Sequence, residues 1–147
     1  MQLIVQSCTK SYTMKPILSS GRRAIEKIKK SSVAIEKLRS KTKGKMVMLD
    51  CPTRWSSTYL MLIRLIELRA SVNEVLDEMS WDQILASEWK LLEQVATLLK
   101  PFADHTRLLE GDQVALSSVI PAAIDLECHL LGFQQDQTKD DALKVLA

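Results

Sequence analysis

The sequence predicts a mainly α-helical fold with a single short strand. Apolar residues recur at spacings of three and four from about residue 16 to residue 133, the period of helices that bury one face. Four Gly and four Pro in 147 residues are too few turn-formers for a β-rich architecture. The one run that departs from the helical period, Met46–Asp50, is β-branched and apolar and reads as a strand. With 46% apolar and 26% charged residues, the chain has the composition of a soluble globular domain and the length for one real core. No apolar run approaches the ~18 residues that cross a bilayer, so no membrane partner is expected. Met1–Val5 is apolar but ends too soon for a signal peptide, and no basic segment precedes it. Three Cys, at 8, 51 and 128, are far apart and odd in number. They argue against a disulfide framework and for a reducing compartment.

Taken in order, residues 1–12 read as a short apolar start, helical rather than extended. Residues 16–42 read as one helix, with Pro16 in its first turn and Ile17, Ala24, Ile28, Val33, Ile35 and Leu38 as a broken apolar stripe. Thr42–Lys45 is a turn, and the strand Met46–Asp50 follows. An isolated strand is not stable. Either its partners lie outside this chain or it docks on helices as an extended segment. The next helix covers 57–79, with Met61, Leu65, Leu68, Val72, Val75, Leu76 and Met79 inward and Leu62, Ile63 and Ile66 widening that face. A third helix covers 87–110, N-capped by Ser87 and kinked or split at Pro101. Gly111 closes it. A fourth starts at Leu116–Ser118 and runs to about Phe133, with Ile120, Ile124, Leu126, Leu130 and Leu131 as core positions. Gln134–Lys139 is a polar linker, and Asp140–Ala147 opens a further helix.

Charge divides the chain. Residues 1–72 hold 15 Lys and Arg against 4 Asp and Glu, whereas residues 73–147 hold 5 against 14. A basic half suits nucleic acid, and an acidic half suits a protein partner. The bland alternative is a solvated helix face with charge pairing inside the molecule. Basic residues Arg22, Arg23, Lys27, Lys30, Lys41, Lys43 and Lys45 are the candidate phosphate contacts. The corner Cys51-Pro52-Thr53-Arg54-Trp55-Ser56-Ser57-Thr58-Tyr59 joins them. Pro52 ends the strand, and Ser56, Ser57 or Thr58 can cap the helix that follows. Arg54 and Trp55 then stand at the positive end of a helix, where a phosphate or base docks. An exposed indole stacks on a base. A buried Trp55 would instead pack the helix start, and Arg54 would pair with Asp50.

The corner, continued through Leu60-Met61-Leu62, resembles the Arg-Trp segment of hAT-superfamily transposases and their domesticated relatives, the zinc-finger BED-type proteins. Ser31-Ser32-Val33-Ala34 with Glu36-Lys37-Leu38 is similar to that family upstream. Glu88-Trp89, Leu98–Phe102, Thr106 and Ser117–Pro121 are similar downstream, so the resemblance covers roughly residues 1–131. It implies that residues 1–56 are the later part of a split ribonuclease-H-like core and 57–147 the start of an all-helical insertion domain. It implies that Trp55 stacks on a flipped base. It also places the metal-holding carboxylates of such transposases outside the chain, two Asp before Met1 and a Glu beyond Ala147. The family's Cys-x-x-His pair, dimerisation segment and BED zinc finger are likewise absent, so a fragment of a longer nuclear protein is expected.

No other constellation points to chemistry. Cys128-His129 and His105 lack the spacing of a zinc site. No glycine-rich phosphate loop or Ser-His-Asp set is present. Asp50 fits neither catalytic Asp of the resembled family. The expectation is therefore a DNA-binding segment without catalytic activity, cofactor, metal or small-molecule substrate. The alternative is a helical protein-interaction module with no nucleic-acid role.

Overall fold

The computed structural model describes residues 14–51, 55–109, 119–136 and 141. Six helices follow one another: α1 Met14–Lys30, α2 Ser32–Lys41, α3 Trp55–Glu67, α4 Arg69–Glu78, α5 Ala86–Leu109 and α6 Val119–Gln135. The mainly α prediction holds. The expectations for residues 1–12, for Arg54, for Gly111, for the start at Leu116–Ser118 and for all but Asp141 of the last run lie outside the described residues.

The long basic helix expected over 16–42 is two helices. Ser31 is extended (φ −111°, ψ 115°) and its side chain accepts from the backbone N–H of Ala34 at 3.3 Å. The hydroxyl satisfies a donor that a new helix start leaves free, so a break is cheaper there than elsewhere in the run. At the end of α2 the chain reverses as expected through Thr42–Lys45. Lys43 (φ 54°) and Gly44 (φ 88°) adopt the left-handed region, and Gly44 N–H bonds the Arg39 carbonyl at 3.1 Å.

The expected strand does not form: residues 45–51 carry no regular structure, and no strand occurs among the described residues. A strand needs a second backbone for its ladder, and among the described residues none pairs with it. Side chains hold the segment instead. Val47 and Asp50 are buried while Met48 and Leu49 stay exposed.

The helix expected over 57–79 starts earlier, at Trp55, and is interrupted at Leu68. It stops as expected at Ser80. Ser80 is left-handed (φ 53°), Ser80 N–H bonds the Asp77 carbonyl and Trp81 N–H reaches back to Leu76, both at 2.9 Å. That pair of bonds is a Schellman closure with Ser in glycine's place. Helix α5 begins at Ala86, not at a Ser87 cap. The Glu88 carboxylate accepts from Leu85 N–H at 2.8 Å, the reciprocal half of a capping box. It runs unbroken through Pro101. Buried Leu98 and Leu99 before the proline and half-buried Phe102 and Ala103 after it keep both sides on the core.

One hydrophobic core joins the helices, and α5 is its axis. Helices α3, α1 and α6 all pack on α5, α2 packs on α1 and α4, and α3 meets α4. Leu18, Ile25 and Ile28 of α1, Met61, Leu62 and Leu65 of α3, and Trp89 and Leu92 of α5 are fully buried. Each such side chain contributes about 1.5–3 kcal/mol of transfer free energy. Gly21 permits the closest approach of α1, since a Cβ there would lie 2.9 Å from Leu65 Cδ2. In α6 the expected core positions are half right. Leu126 is buried and Leu130 half-buried, but Ile120, Ile124 and Leu131 are exposed, and Ala122 and Phe133 are buried instead.

Two stability measurements check this packing. Gly21→Leu should lose about 1–3 kcal/mol in urea unfolding, because leucine is a good helix former and only overpacking against Leu65 opposes it. Ser80→Gly should gain up to about 1 kcal/mol by relieving the left-handed serine.

Candidate nucleic-acid interface

The corner is fastened by one buried carboxylate. Arg22, on α1, grips Asp50 with both arms of its guanidinium, Nε to Oδ1 at 2.9 Å and Nη2 to Oδ2. Thr58, one turn into α3, donates its hydroxyl to Asp50 Oδ2 at 2.8 Å. Burial pushes the Asp50 carboxyl up, but the hydrogen bonds from Arg22 and Thr58 and the Arg22 charge outweigh it, so the group sits below the usual carboxylate range. Beside it, Ser57 Oγ accepts from Cys51 N–H at 2.8 Å and lies 3.0 Å from the Cys51 carbonyl. Ser57 and Thr58 thus tie down the approach segment rather than cap α3. Lys45 pairs with Glu67 at the far end of α3. The segment 45–51 therefore lies along α3, stitched at both ends.

Trp55 opens α3 with its side chain in the core, 4% exposed. An indole so covered presents no face to a base, and the packing alternative describes its placement. Asp50, the partner considered for Arg54, is engaged by Arg22 and Thr58.

The other candidate phosphate contacts divide into two groups. Lys27, Lys30 and Lys41 have carboxylate partners, as does neighbouring Lys37, and all of these partners but Glu26 come from the acidic half. Lys27 bonds Asp82 at 3.1 Å and lies 6.0 Å from the Trp81 ring centroid. Lys37 bonds Glu78 at 2.7 Å, and Lys41 bonds Glu74 at 2.8 Å and Glu78 at 3.0 Å. Lys30 lies 3.9 Å from Glu26 on its own helix. The hydrogen bonds that Lys41 donates to Glu74 and Glu78 raise its pKa, and those that Glu78 accepts from Lys37 and Lys41 lower that of Glu78. These pairs are solvent-exposed, so water and salt screen them and either partner can exchange.

The second group, Arg23 and Lys43, is exposed, and no ion pair among the described residues engages it; the same is true of Lys15, Lys29 and Arg39, which the sequence reading did not single out. Three of these five are on α1. Lys15, Arg22 and Lys29 recur every seven residues along one side of that helix, with Arg23 and Lys30 beside them and Glu26 the lone acid on its solvent face. Of these, Arg22 is turned in to Asp50, and Lys15, Arg23, Lys29 and Lys30 are exposed. Between α1 and the loop before α5 runs a groove of about 300 Å³, with Arg23 and Lys27 on one wall and Asp82 and Glu88 on the other. Among the described residues no three His, Cys, Asp or Glu side chains gather as metal ligands, and no helix is long and apolar enough to cross a membrane.

The fold and this face define an all-helical domain with a cationic outer helix and a buried tryptophan at the start of its third helix. The chain belongs to the ZBED1 RNase-like helical domain family, whose model matches residues 1–98. It is 31% identical over 128 residues to human zinc finger BED domain-containing protein 4, covering 82% of this chain and 11% of that protein. It is 37% identical over 86 residues to a Zea mays protein named for the AC transposase, covering 52% of this chain and 10% of the relative. A Talaromyces stipitatus protein named as a transcriptional regulator, tpeD, is 29% identical over 119 residues, or 72% of this chain and 14% of that one. The chain thus spans about a tenth of the length of these relatives. No solved structure matches. The family shown is that of the hAT-type and BED-type resemblance seen at the Arg-Trp corner.

The Asp50 clasp was not foreseen from sequence. Its sign is clear: a carboxylate with a lowered pKa stabilises the fold above the ordinary carboxylate range, and that contribution is lost as pH falls through its folded value. Asp50→Asn should cost about 1–3 kcal/mol at pH 7, measured by urea unfolding, and the gap from the unmutated chain should close as pH falls below about 4. A gap constant with pH would contradict the clasp.

Proposed function

We propose that this chain is a DNA-contacting segment of a transposase-derived nuclear protein and that it cleaves nothing by itself. What supports this reading is the solvent face of α1, where Lys15, Arg23, Lys27, Lys29 and Lys30 stand with Glu26 as the single acid of that helix. Helix α1 has 17 residues, about 25 Å of length, and suits a run of backbone phosphates. Lys15, Arg23 and Lys29 are available at once. Lys27 and Lys30 can trade an exposed carboxylate for a phosphate at little cost. Such contacts position a protein on the duplex and read no sequence.

In this reading Trp55 acts from inside, holding the start of α3 on the core, while Lys43 and Lys45 extend the basic surface past α2. Arg54, its neighbour in sequence, remains a candidate phosphate ligand. Residues 1–56 correspond to part of a ribonuclease-H-like core and 57–147 to the opening of a helical insertion domain. Asp50, the one buried carboxylate among the described residues, is bonded by Arg22 and Thr58, which supports a structural role for it rather than a metal-holding one. Relatives named as a BED-type zinc finger protein and a transcriptional regulator support the nuclear assignment.

The test is fluorescence anisotropy with two unrelated duplexes of about 20 base pairs, titrated with salt. Three to five phosphate contacts predict that log K falls with log salt at a slope of about −3 to −5, alike for both sequences. Arg23→Glu and Lys29→Glu should each weaken both duplexes equally. Trp55→Leu, which keeps an apolar side chain in the core but has no ring to stack, should leave binding intact as long as the chain folds; a folded Trp55→Leu chain that no longer binds would restore base stacking. No binding to either duplex at low salt sinks the proposal and leaves the protein-interaction module. The exposed apolar side chains of α6 favour that second reading.

A further inference from the structure

Helix α6 carries apolar stripes on two opposite sides, and the bundle covers one of them. Ala122, Leu126 and Phe133 are buried on the core side. At about 100° per residue, Ile120, Ile124 and Leu131 fall on the far side. They are 68%, 55% and 50% exposed. A helix apolar on all sides belongs inside a larger packing. Nothing among the described residues covers this second stripe, which extends over three turns, about 16 Å.

Charge narrows what fits it. Val119–Gln135 contains Asp125 and Glu127 and no Lys or Arg. Asp125 Oδ2 lies 2.6 Å from His105 Nε2 on α5. Glu127 is exposed beside the stripe, and no ion pair among the described residues engages it. A second copy presenting the same stripe would set carboxylate beside carboxylate with no cation between them. The α1 face of a second copy offers cations but no apolar side chains. Among the described residues, neither of these surfaces is the complement.

We propose that the far side of α6 docks an amphipathic helix of a partner protein, about three turns long, with apolar residues at three- and four-residue spacing and Lys or Arg flanking them. The apolar contacts would supply affinity, and the flanking cations would select register and partner against Glu127. This surface is separate from α1, so it stands or falls independently of DNA binding.

Two labelled helical peptides of about 14 residues test it, identical in their leucines, one flanked by Lys and one by Glu. Anisotropy with the full chain should show the Lys-flanked peptide binding about tenfold more tightly than the other. Ile124→Lys should weaken it by about tenfold or more, and Glu127→Lys should erase the preference between peptides. Leu131→Lys provides a second variant at an exposed position, and Arg23→Glu should leave peptide binding unchanged. Three outcomes overturn the proposal: no saturable binding of the Lys-flanked peptide, equal affinity for both peptides, or a concentration-dependent dimer in sedimentation that Ile124→Lys abolishes. The last would give the surface to a second copy.

Discussion

Asp50 is the point on which the arrangement of the first three helices turns. Its carboxylate lies in the angle between α1 and α3, and both helices reach it by side chains, Arg22 from one and Thr58 from the other. A carboxylate removed from water is costly unless paired and hydrogen-bonded, and here the partners come from two elements at once. The clasp also fixes the segment 45–51, which has no ladder of its own to hold it. With that segment pinned, Val47 drops into the core and Trp55 begins α3 with its indole buried. Asp50, Trp55 and Thr58 thus serve as parts of a structural joint at this corner.

Why some of this was legible and some was not follows from the range of the interactions. Periodicity reports which residues share a face, so the helices and most core positions in α3 to α5 were readable: Met61, Leu65, Val72, Val75, Trp89, Leu92 and Leu99 are all buried. The break at Ser31 rests on one local hydrogen bond to Ala34, and a serine in a basic run gives only weak notice of it. The pairing of Arg22 with Asp50 crosses 28 residues, and nothing local distinguishes Arg22 from Arg23 beside it. The strand reading failed for a related reason. The β-propensity of Met46–Leu49 was real, but propensity describes fit to a pleated neighbour, and no neighbour is present among the described residues.

The division of charge along the sequence resolves into contacts rather than into two separate surfaces. Lys27, Lys37 and Lys41 of the basic half meet Asp82, Glu78 and Glu74 of the acidic half across the fold. The surplus cations of one half and the surplus anions of the other nearly cancel in the sum, leaving +2, and the fold brings part of each surplus into contact. Total charge is therefore a poor guide to the binding face. The informative cations are those left over after pairing, and on α1 they share one side of one helix. Because the exposed pairs contribute little to stability, they hold the lysines without committing them. A surface of this kind can exchange partners with little change in the fold beneath.

Helix α6 is the reverse case, in which periodicity misled because it was satisfied twice. Ile120, Ile124 and Leu131 form a sound helical stripe, and so do Ala122, Leu126 and Phe133. A sequence with two stripes does not say which one faces its own core. The contact with α5 selects the smaller set, where Ala122 allows close approach and Phe133 fills the gap beside His129, their rings 6.4 Å apart. That choice leaves the larger aliphatic side chains in water. Desolvating three such residues is worth several kcal/mol at about 25 cal/mol per Å², a driving force comparable to that holding α6 on the bundle. The sequence of α6 is thus unbalanced for a helix on a free surface and balanced for one between two packed layers.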